Sequence, residues 1–423
     1  MTEVQERPEA RRVPRALTPF RHSAYRRLAV ALVLATFAGG VWTVGLVWEV
    51  IRIGGGPAQL SVVSTAAAVG VLLPALLGGV VADRVPQKVI LLGVAAIELL
   101  AMGTVALLSV ADLTILWHLG LVAFAIGAAM AFYFPAYSAW LPALVPEEDL
   151  LAVNGFEGMV RPTIGQAVGP AVAGVLVGAV SPSAALSVAA LASLAGLFAL
   201  TTVPLTPVRR DEDQPATSVV HDLREGFVYM VRTPWLLATL LFASLMIFVI
   251  MGPLEVLVPF LIKDKLGGDA GDHALVLAAF GIGGAVGSMV MASLRLPRRY
   301  LSVMNLLWGV GCLPFVVMGV ATEIWMLVAS AFVLGAMFSA PMVIWGTLLQ
   351  RRVPPHLLGR VASLDFFVSV SLMPVSMALA GPVSEAIGLR TTFLVAGLVP
   401  TVAAVAAIVL ARLPRDEIEH PLS

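Results

Sequence analysis

The chain has 423 residues, 59% of them hydrophobic and 12% charged, with a mean hydropathy of +0.96. A water-soluble fold of this size would expose far too much apolar surface, since ordinary soluble chains are about 45–50% apolar and about 25% charged. The 26 basic and 26 acidic residues cancel, which excludes a net basic field for nucleic acid, and one cysteine, Cys312, excludes an internal disulfide framework.

What is left is a polytopic membrane protein. Residues 1–27 form a polar arm with seven arginines, expected to be disordered to about Phe20. The apolar run that follows is a full span, so the arm is not a cleavable signal. Twelve windows of about 20 apolar residues, the length a crossing helix needs, then appear in order. They are 28–48, 58–82, 89–111, 113–137, 160–180, 184–203, 235–262, 274–294, 301–321, 324–349, 361–386 and 391–411. Lipid cannot satisfy free backbone amides, and these runs do not alternate as barrel strands do, so each window reads as a helix. With the N-terminus in the cytoplasm, 21 Lys and Arg fall on the cytoplasmic side and four (Arg52, Lys263, Lys265, Arg390) outside. That bias follows the positive-inside rule and supports cytoplasmic termini in a cell inner membrane.

The windows divide six and six. An N-terminal bundle covers 28–203, a linker 204–234, a C-terminal bundle 235–412 and a tail 413–423. The linker holds nine charges. Val220, Leu223, Phe227, Val228 and Val231 recur there at helical spacing, as in an amphipathic helix lying on the membrane; a plain solvated linker is the alternative. The halves repeat. Val145-Pro146-x-x-x-Leu150-x-x-Val153 returns as Val353-Pro354-x-x-x-Leu358-x-x-Val361, 208 residues later, and the same offset carries Glu157 to Asp365 and Gly79 to Gly287. Many secondary transporters are built from such repeats, with their binding site between the halves.

Window 2 ends in Gly79-Val-Val-Ala-Asp83-Arg84-Val-Pro86-Gln87-Lys88. This resembles the loop signature of the major facilitator superfamily, Gly-x-x-x-Asp-Arg-x-Gly-Arg-Arg/Lys, with Pro86 and Gln87 as departures. Gly79 lets a neighbouring helix approach closely. Asp83, Arg84 and Lys88 stand where charges can latch the halves and release on rocking, or where they merely act as a positive stop signal. Window 5 carries Gly165-Gln-Ala-Val-Gly169-Pro170-Ala-Val-Ala-Gly174. It is similar to the pattern found in the superfamily's exporters, with Ala173 in place of one glycine. Gly165, Gly169 and Gly174 suit tight helix contact, and Pro170 bends the helix. The segments beginning at Leu144 and Arg351 resemble the branch of bacterial enterobactin, macrolide and multidrug exporters. The resemblance implies an all-α fold of twelve transmembrane helices in two pseudo-symmetric six-helix bundles.

Ionisable residues inside a membrane are functional candidates by default. Glu255 lies deep in window 7 between Pro253 and Pro259, and Glu98 sits near the middle of window 3. Both are candidates for cargo binding or proton coupling; a carboxyl bonded to a neighbouring helix is the plain alternative. Glu157 and Arg161 are one turn apart at the inner end of window 5 and, with Asp365, suggest a cytoplasmic gate or a simple surface pair. Glu49 and Arg52 read as an interface feature. Trp42, Tyr133, Tyr137, Met342 and Trp345 are candidate cavity residues, since aromatic and methionine surfaces accept varied apolar ligands; interhelical packing is the alternative.

No Walker loop and no nucleophile–base set occurs in the sequence, so neither ATP hydrolysis nor enzyme chemistry is expected. The expectation is therefore a secondary transporter with no cofactor, driven by the proton gradient. It would act as a monomer in the lipid bilayer and export a partly apolar small molecule such as a drug, siderophore or secondary metabolite. An importer of the same fold, a lipid-handling membrane protein and a channel are the alternatives.

Overall fold

A computed structural model describes residues 15–75, 81, 85–146, 149–206, 219–294, 296–354, 357, 361, 364–365, 367–369 and 371–421. Among these residues there is no strand. Eleven helices are long and apolar enough to cross a membrane, and the remaining crossing is described over Pro57–Leu72. The chain folds as twelve helices in two six-helix bundles.

The N-terminal bundle holds span 1 (Ser23–Arg52), span 2 (Pro57–Leu72), span 3 (Gln87–Val110), span 4 (Leu116–Leu144), span 5 (Leu150–Ala179) and span 6 (Pro182–Thr201). The C-terminal bundle holds span 7 (Pro234–Lys265), span 8 (Ala270–Ser293), span 9 (Tyr300–Val320), span 10 (Ile324–Arg352), span 11 (Phe367–Ile387) and span 12 (Leu389–Leu410). The face at which span 1 begins is called the terminal face here, and the opposite one the far face. Tight turns join the spans at the far face; Gly54 and Gly388 make two of them with φ of +83° and +86°, which a side chain would strain.

Within the N-terminal half, span 1 packs on spans 5 and 6, span 2 on span 4, and span 3 on spans 4 and 6. In the C-terminal half, span 7 packs on spans 11 and 12, span 8 on span 10, and span 9 on spans 10 and 12. Each of these pairs in one half has its counterpart in the other. Spans 2 and 11, and spans 5 and 8, join the halves.

Two stretches depart from regular α-helix. Span 5 is π-helical over Arg161–Val168. Span 7 is π-helical over Pro253–Leu257 and again over Leu261–Lys265. A π turn often marks a functional position in a helix.

The arm differs from its expected disorder. Arg15–Arg21 is a 3-10 helix. Phe20 packs edge-on against Phe156 at 5.0 Å. The Thr18 hydroxyl donates to Asp149 at 2.5 Å, and the His22 ring lies 2.9 Å from the other carboxylate oxygen. These contacts anchor residues that composition alone marks as polar and loose. In the linker, Val219–Arg232 is helical. Phe227, Val228 and Val231 stay exposed on it while Met230 is buried in the core.

Candidate functional site

A cavity of about 310 Å³ lies between the halves, lined from spans 1, 2, 4, 7, 8 and 11. Trp42 from span 1, Glu255 from span 7, His273 from span 8, and Met373 and Met377 from span 11 contribute to its wall. The far face is closed above it. Gly381 of span 11 sits so close to span 2 that a Cβ there would come within 2.6 Å of the Ala58 Cα. The Gly381 amide donates to the Ser61 hydroxyl at 2.9 Å. On the other side, a Cβ at Gly174 would meet Ala274 at 2.8 Å. Met377 lies one turn below Gly381, so the cavity begins directly under this seal.

Glu255 stands in the first π segment of span 7 and is exposed to the cavity. Among the described residues it has no hydrogen bond and no ion pair. An unpaired carboxylate in an apolar wall calls for a counter-charge, supplied by a bound cation or by a proton. His273 is 4% exposed and its Nδ1 has no hydrogen-bond partner. Sequence reasoning missed it. Its window 8 began at 274, whereas the helix begins at Ala270, capped by the Asp269 carboxylate on the Gly271 and Asp272 amides. An Asp one turn ahead of an apolar run was the available signal.

The other candidates fall elsewhere. Glu98, Tyr133 and Tyr137 line a separate pocket of about 40 Å³ inside the N-terminal half, between spans 1, 3, 4 and 6. The Tyr133 and Tyr137 rings stack at 5.5 Å. The Tyr137 hydroxyl faces the Glu157 carboxylate, yet neither Tyr137 Oη nor Glu157 Oε1 has a well-formed hydrogen bond. Arg161 approaches Glu157 at 4.0 Å and lies over the Phe134 ring at 4.4 Å. The expected gate pair therefore sits against the same tyrosines as Glu98. In the C-terminal half, the Trp345 indole donates to Asp365 at 2.8 Å. Neither Trp345 nor Met342 lines the central cavity; Met342 is 52% exposed and Trp345 is buried.

Gly165 and Gly169 pack on span 1. A Cβ at Gly40 would meet the Gly165 carbonyl at 2.5 Å and Pro170 Cδ at 3.0 Å. Gly174 belongs instead to the seam between the halves. Gly79, Asp83 and Arg84 lie outside the described residues. Lys88 donates to the Thr201 carbonyl at 2.8 Å and the Val203 carbonyl at 2.5 Å, which caps the end of span 6 within its own half.

Outside the membrane, the Thr18 hydroxyl, helped by His22, holds the Asp149 carboxyl below its ordinary range. Among the described residues no group of three or more His, Cys, Asp or Glu could hold a metal ion.

The chain is similar to proteins of known activity. It is 25% identical over 343 residues to macrolide efflux protein A of Streptococcus pyogenes, covering 79% of this chain and 84% of that protein. It is 26% identical over 417 residues to the multidrug efflux pump Tap of Mycobacterium tuberculosis, covering 93% and 96%. The fold matches a variant of the nucleoside transporter NupG with a TM-score of 0.75 at 13% identity, covering 92% of this chain and 100% of that one. It also matches a bacterial homologue of the human lysosomal transporter Spinster, inward-facing and unoccupied, at 0.70 and 16%, covering 96% and 99%. The family model described as a transmembrane secretion effector matches residues 15–422. The chain thus belongs to that family of major facilitator superfamily transporters, on the branch that includes macrolide and multidrug exporters.

Proposed function

We propose that this protein exports a medium-sized, partly apolar small molecule across the cell membrane by alternating access, coupled to inward proton flow. The observation that carries the reading is the cavity between the halves, sealed at the far face and holding the unpaired Glu255. The 21-to-four bias of basic residues supports a terminal face in the cytoplasm. Cargo enters from there, binds against Trp42, Met373 and Met377, and leaves when the seam of spans 2 and 11 opens. Glu255 supplies the charge that orients it. The protein works as a monomer in the bilayer and needs no cofactor. The macrolide and multidrug relatives support drug-like cargo.

The test is a proteoliposome assay with an imposed pH gradient and a panel of labelled macrolides, other drugs and siderophores. Wild-type protein is expected to move at least one class against its gradient, in exchange for protons. Glu255→Gln is expected to lower transport at least tenfold, the scale of losing a charge-assisted contact of about 1.5–3 kcal/mol. Unchanged pH-driven transport in that variant would remove Glu255 from the mechanism. Accumulation with, rather than against, proton flow would make the protein an importer.

A further inference from the structure

The N-terminal half carries a polar cluster that the cargo cavity does not use. Glu98 lies eleven residues along span 3, roughly 16 Å from that helix's terminal end at 1.5 Å per residue. Glu157 lies at the terminal end of span 5. Tyr133 and Tyr137, one turn apart on span 4, stand between them. Tyr133 lines the same pocket as Glu98, and its ring stacks on Tyr137 at 5.5 Å. Tyr137 is 2% exposed, lines the same pocket as Glu98, and its hydroxyl has no hydrogen bond of good geometry. A pocket of about 40 Å³ has room for a bridging water.

The repeat sharpens this. At the offset of 208 residues, Tyr137 corresponds to Trp345, Glu157 to Asp365, and Arg161 to Ser369. In the C-terminal half that set is closed: Trp345 Nε1 donates to Asp365 at 2.8 Å and Ser369 donates at 3.4 Å. An indole only donates, whereas a phenol both donates and accepts. The positions matching Glu98 and Tyr133 are Leu306 and Pro341, which carry no proton-exchanging group. So matching backbone positions carry a bonded donor–acceptor set in one half and a run of groups that can each donate and accept in the other.

We infer that Glu98, Tyr133, Tyr137 and Glu157 form a proton path inside the N-terminal half, running from mid-membrane to the terminal face and separate from the cargo cavity. The inference rests on the exporter reading and gives its coupling a location. A proton held on Glu98 moves to the Tyr133 oxygen, directly or through water, as Tyr133 releases its own. Tyr137 repeats the exchange, and Glu157 receives the last proton. At each phenol one O–H bond forms and one breaks, so both end neutral; Glu98 is left as carboxylate and Glu157 as acid. Arg161 draws the proton off Glu157 by favouring its charged form, and the proton leaves at the terminal face. Among the described residues the other titratable group facing the cluster is Tyr25 of span 1, fully buried with an unbonded hydroxyl. Span 6 presents Ser193 and Gly196 to the pocket and no ionisable residue, since 162–208 contains none of Asp, Glu, Lys or Arg.

The test uses Glu98→Gln, Tyr137→Phe and Glu157→Gln in proteoliposomes with radiolabelled erythromycin as probe. Two assays run side by side: accumulation driven by a pH gradient, and counterflow exchange with no gradient. Each variant is expected to lose at least about tenfold in pH-driven accumulation, a modest share of what proton transfer contributes, with counterflow within about twofold of wild type, and Glu98→Asp to regain part of the loss. Equal loss of both activities would show a cargo-binding or structural role and overturn the inference; so would retention of both. If wild-type protein moves no erythromycin in either assay, that cargo assignment fails and infrared pH titration decides the path alone. A protonated carboxyl band that vanishes in Glu98→Gln and changes midpoint in Tyr137→Phe supports it. A spectrum unchanged by both substitutions overturns it.

Discussion

Glu49 is a carboxylate with no exposed surface, close to the far end of span 1. Arg52, one turn on, grips it with two bonds of 2.8 Å and reaches across to Asp112 after span 3. Breaking a buried pair strands a charge and costs about 3–5 kcal/mol. Arg52 is 30% exposed and can recover some hydration, so Glu49→Ala is expected to cost about 2–3 kcal/mol. Asp112→Asn removes the charge of an 82% exposed partner while keeping a residue suited to the left-handed backbone there, φ +58°, and is expected to cost under about 1 kcal/mol. Thermal unfolding in detergent would rank the two; equal losses would contradict the assignment. Asp149 behaves differently with acid. Its folded-state pKa is depressed, so its bonds stabilise the arm above the ordinary carboxylate range and are lost as the pH falls through the depressed value. Hydrogen exchange at residues 15–22 is expected to rise over that acid interval, and in Asp149→Asn to be high already at neutral pH. At this scale the sequence was readable where a charge interrupts an apolar run, as at Glu98 and Glu255. It was misread at His273, which a window drawn four residues late left in a loop despite the Asp269 cap signal. The bond between Trp345 and Asp365 was also beyond reach, because Asp365 lies 20 residues along the chain, just ahead of span 11.

Neighbouring glycines in span 1 show what an element asks of a residue. A Cβ at Gly40 would strike the Gly165 carbonyl, whereas a Cβ at Gly39 meets nothing within 4 Å. Gly40→Ala is expected to cost about 1–3 kcal/mol by overpacking. Gly39→Ala is expected to be neutral or to gain up to about 1 kcal/mol from helix propensity. Melting temperatures of the pair would check this, and a destabilised Gly39→Ala would refute it. The glycine spacing of span 5 announced close packing, but not that Gly165 and Gly169 would face span 1 while Gly174 faces span 8. Helix periodicity places small residues on a face; the partner is chosen by tertiary arrangement. The π segments of span 7 had only the flanking prolines as a sign, and the 3-10 arm had none, because its anchors at Asp149 and Phe156 lie far along the chain.

The two-bundle plan was the most legible feature: crossing length and charge sidedness follow from one solvent geometry, and the 208-residue repeat divides the crossings into halves. The packing pairs inside each half obey the same repeat. What a single sequence lacks is the conformational state, since the contact of spans 2 and 11 at Gly381 belongs to one arrangement of two. Gly381→Leu places a side chain against backbone only 2.6 Å away and is expected to drive the seam out of this arrangement. A thiol reagent added at the far face should then react faster with Ser64→Cys in the cavity wall, and the native Cys312, buried in span 9, does not interfere. Labelling unchanged by Gly381→Leu would mean that this seam does not hold the far face closed.

That seam is backbone laid against backbone through glycine, alanine and serine. Such a surface has few interdigitated side chains to withdraw and little apolar area to wet when it parts. Separation therefore has a shallow energetic slope, and the hydrogen bond that the Gly381 amide donates to Ser61 is the main directional tie to break. A lock with bulky teeth would hold the far side shut more firmly but would turn over slowly; a smooth hinge plate lets a single bound ion or molecule tip the balance.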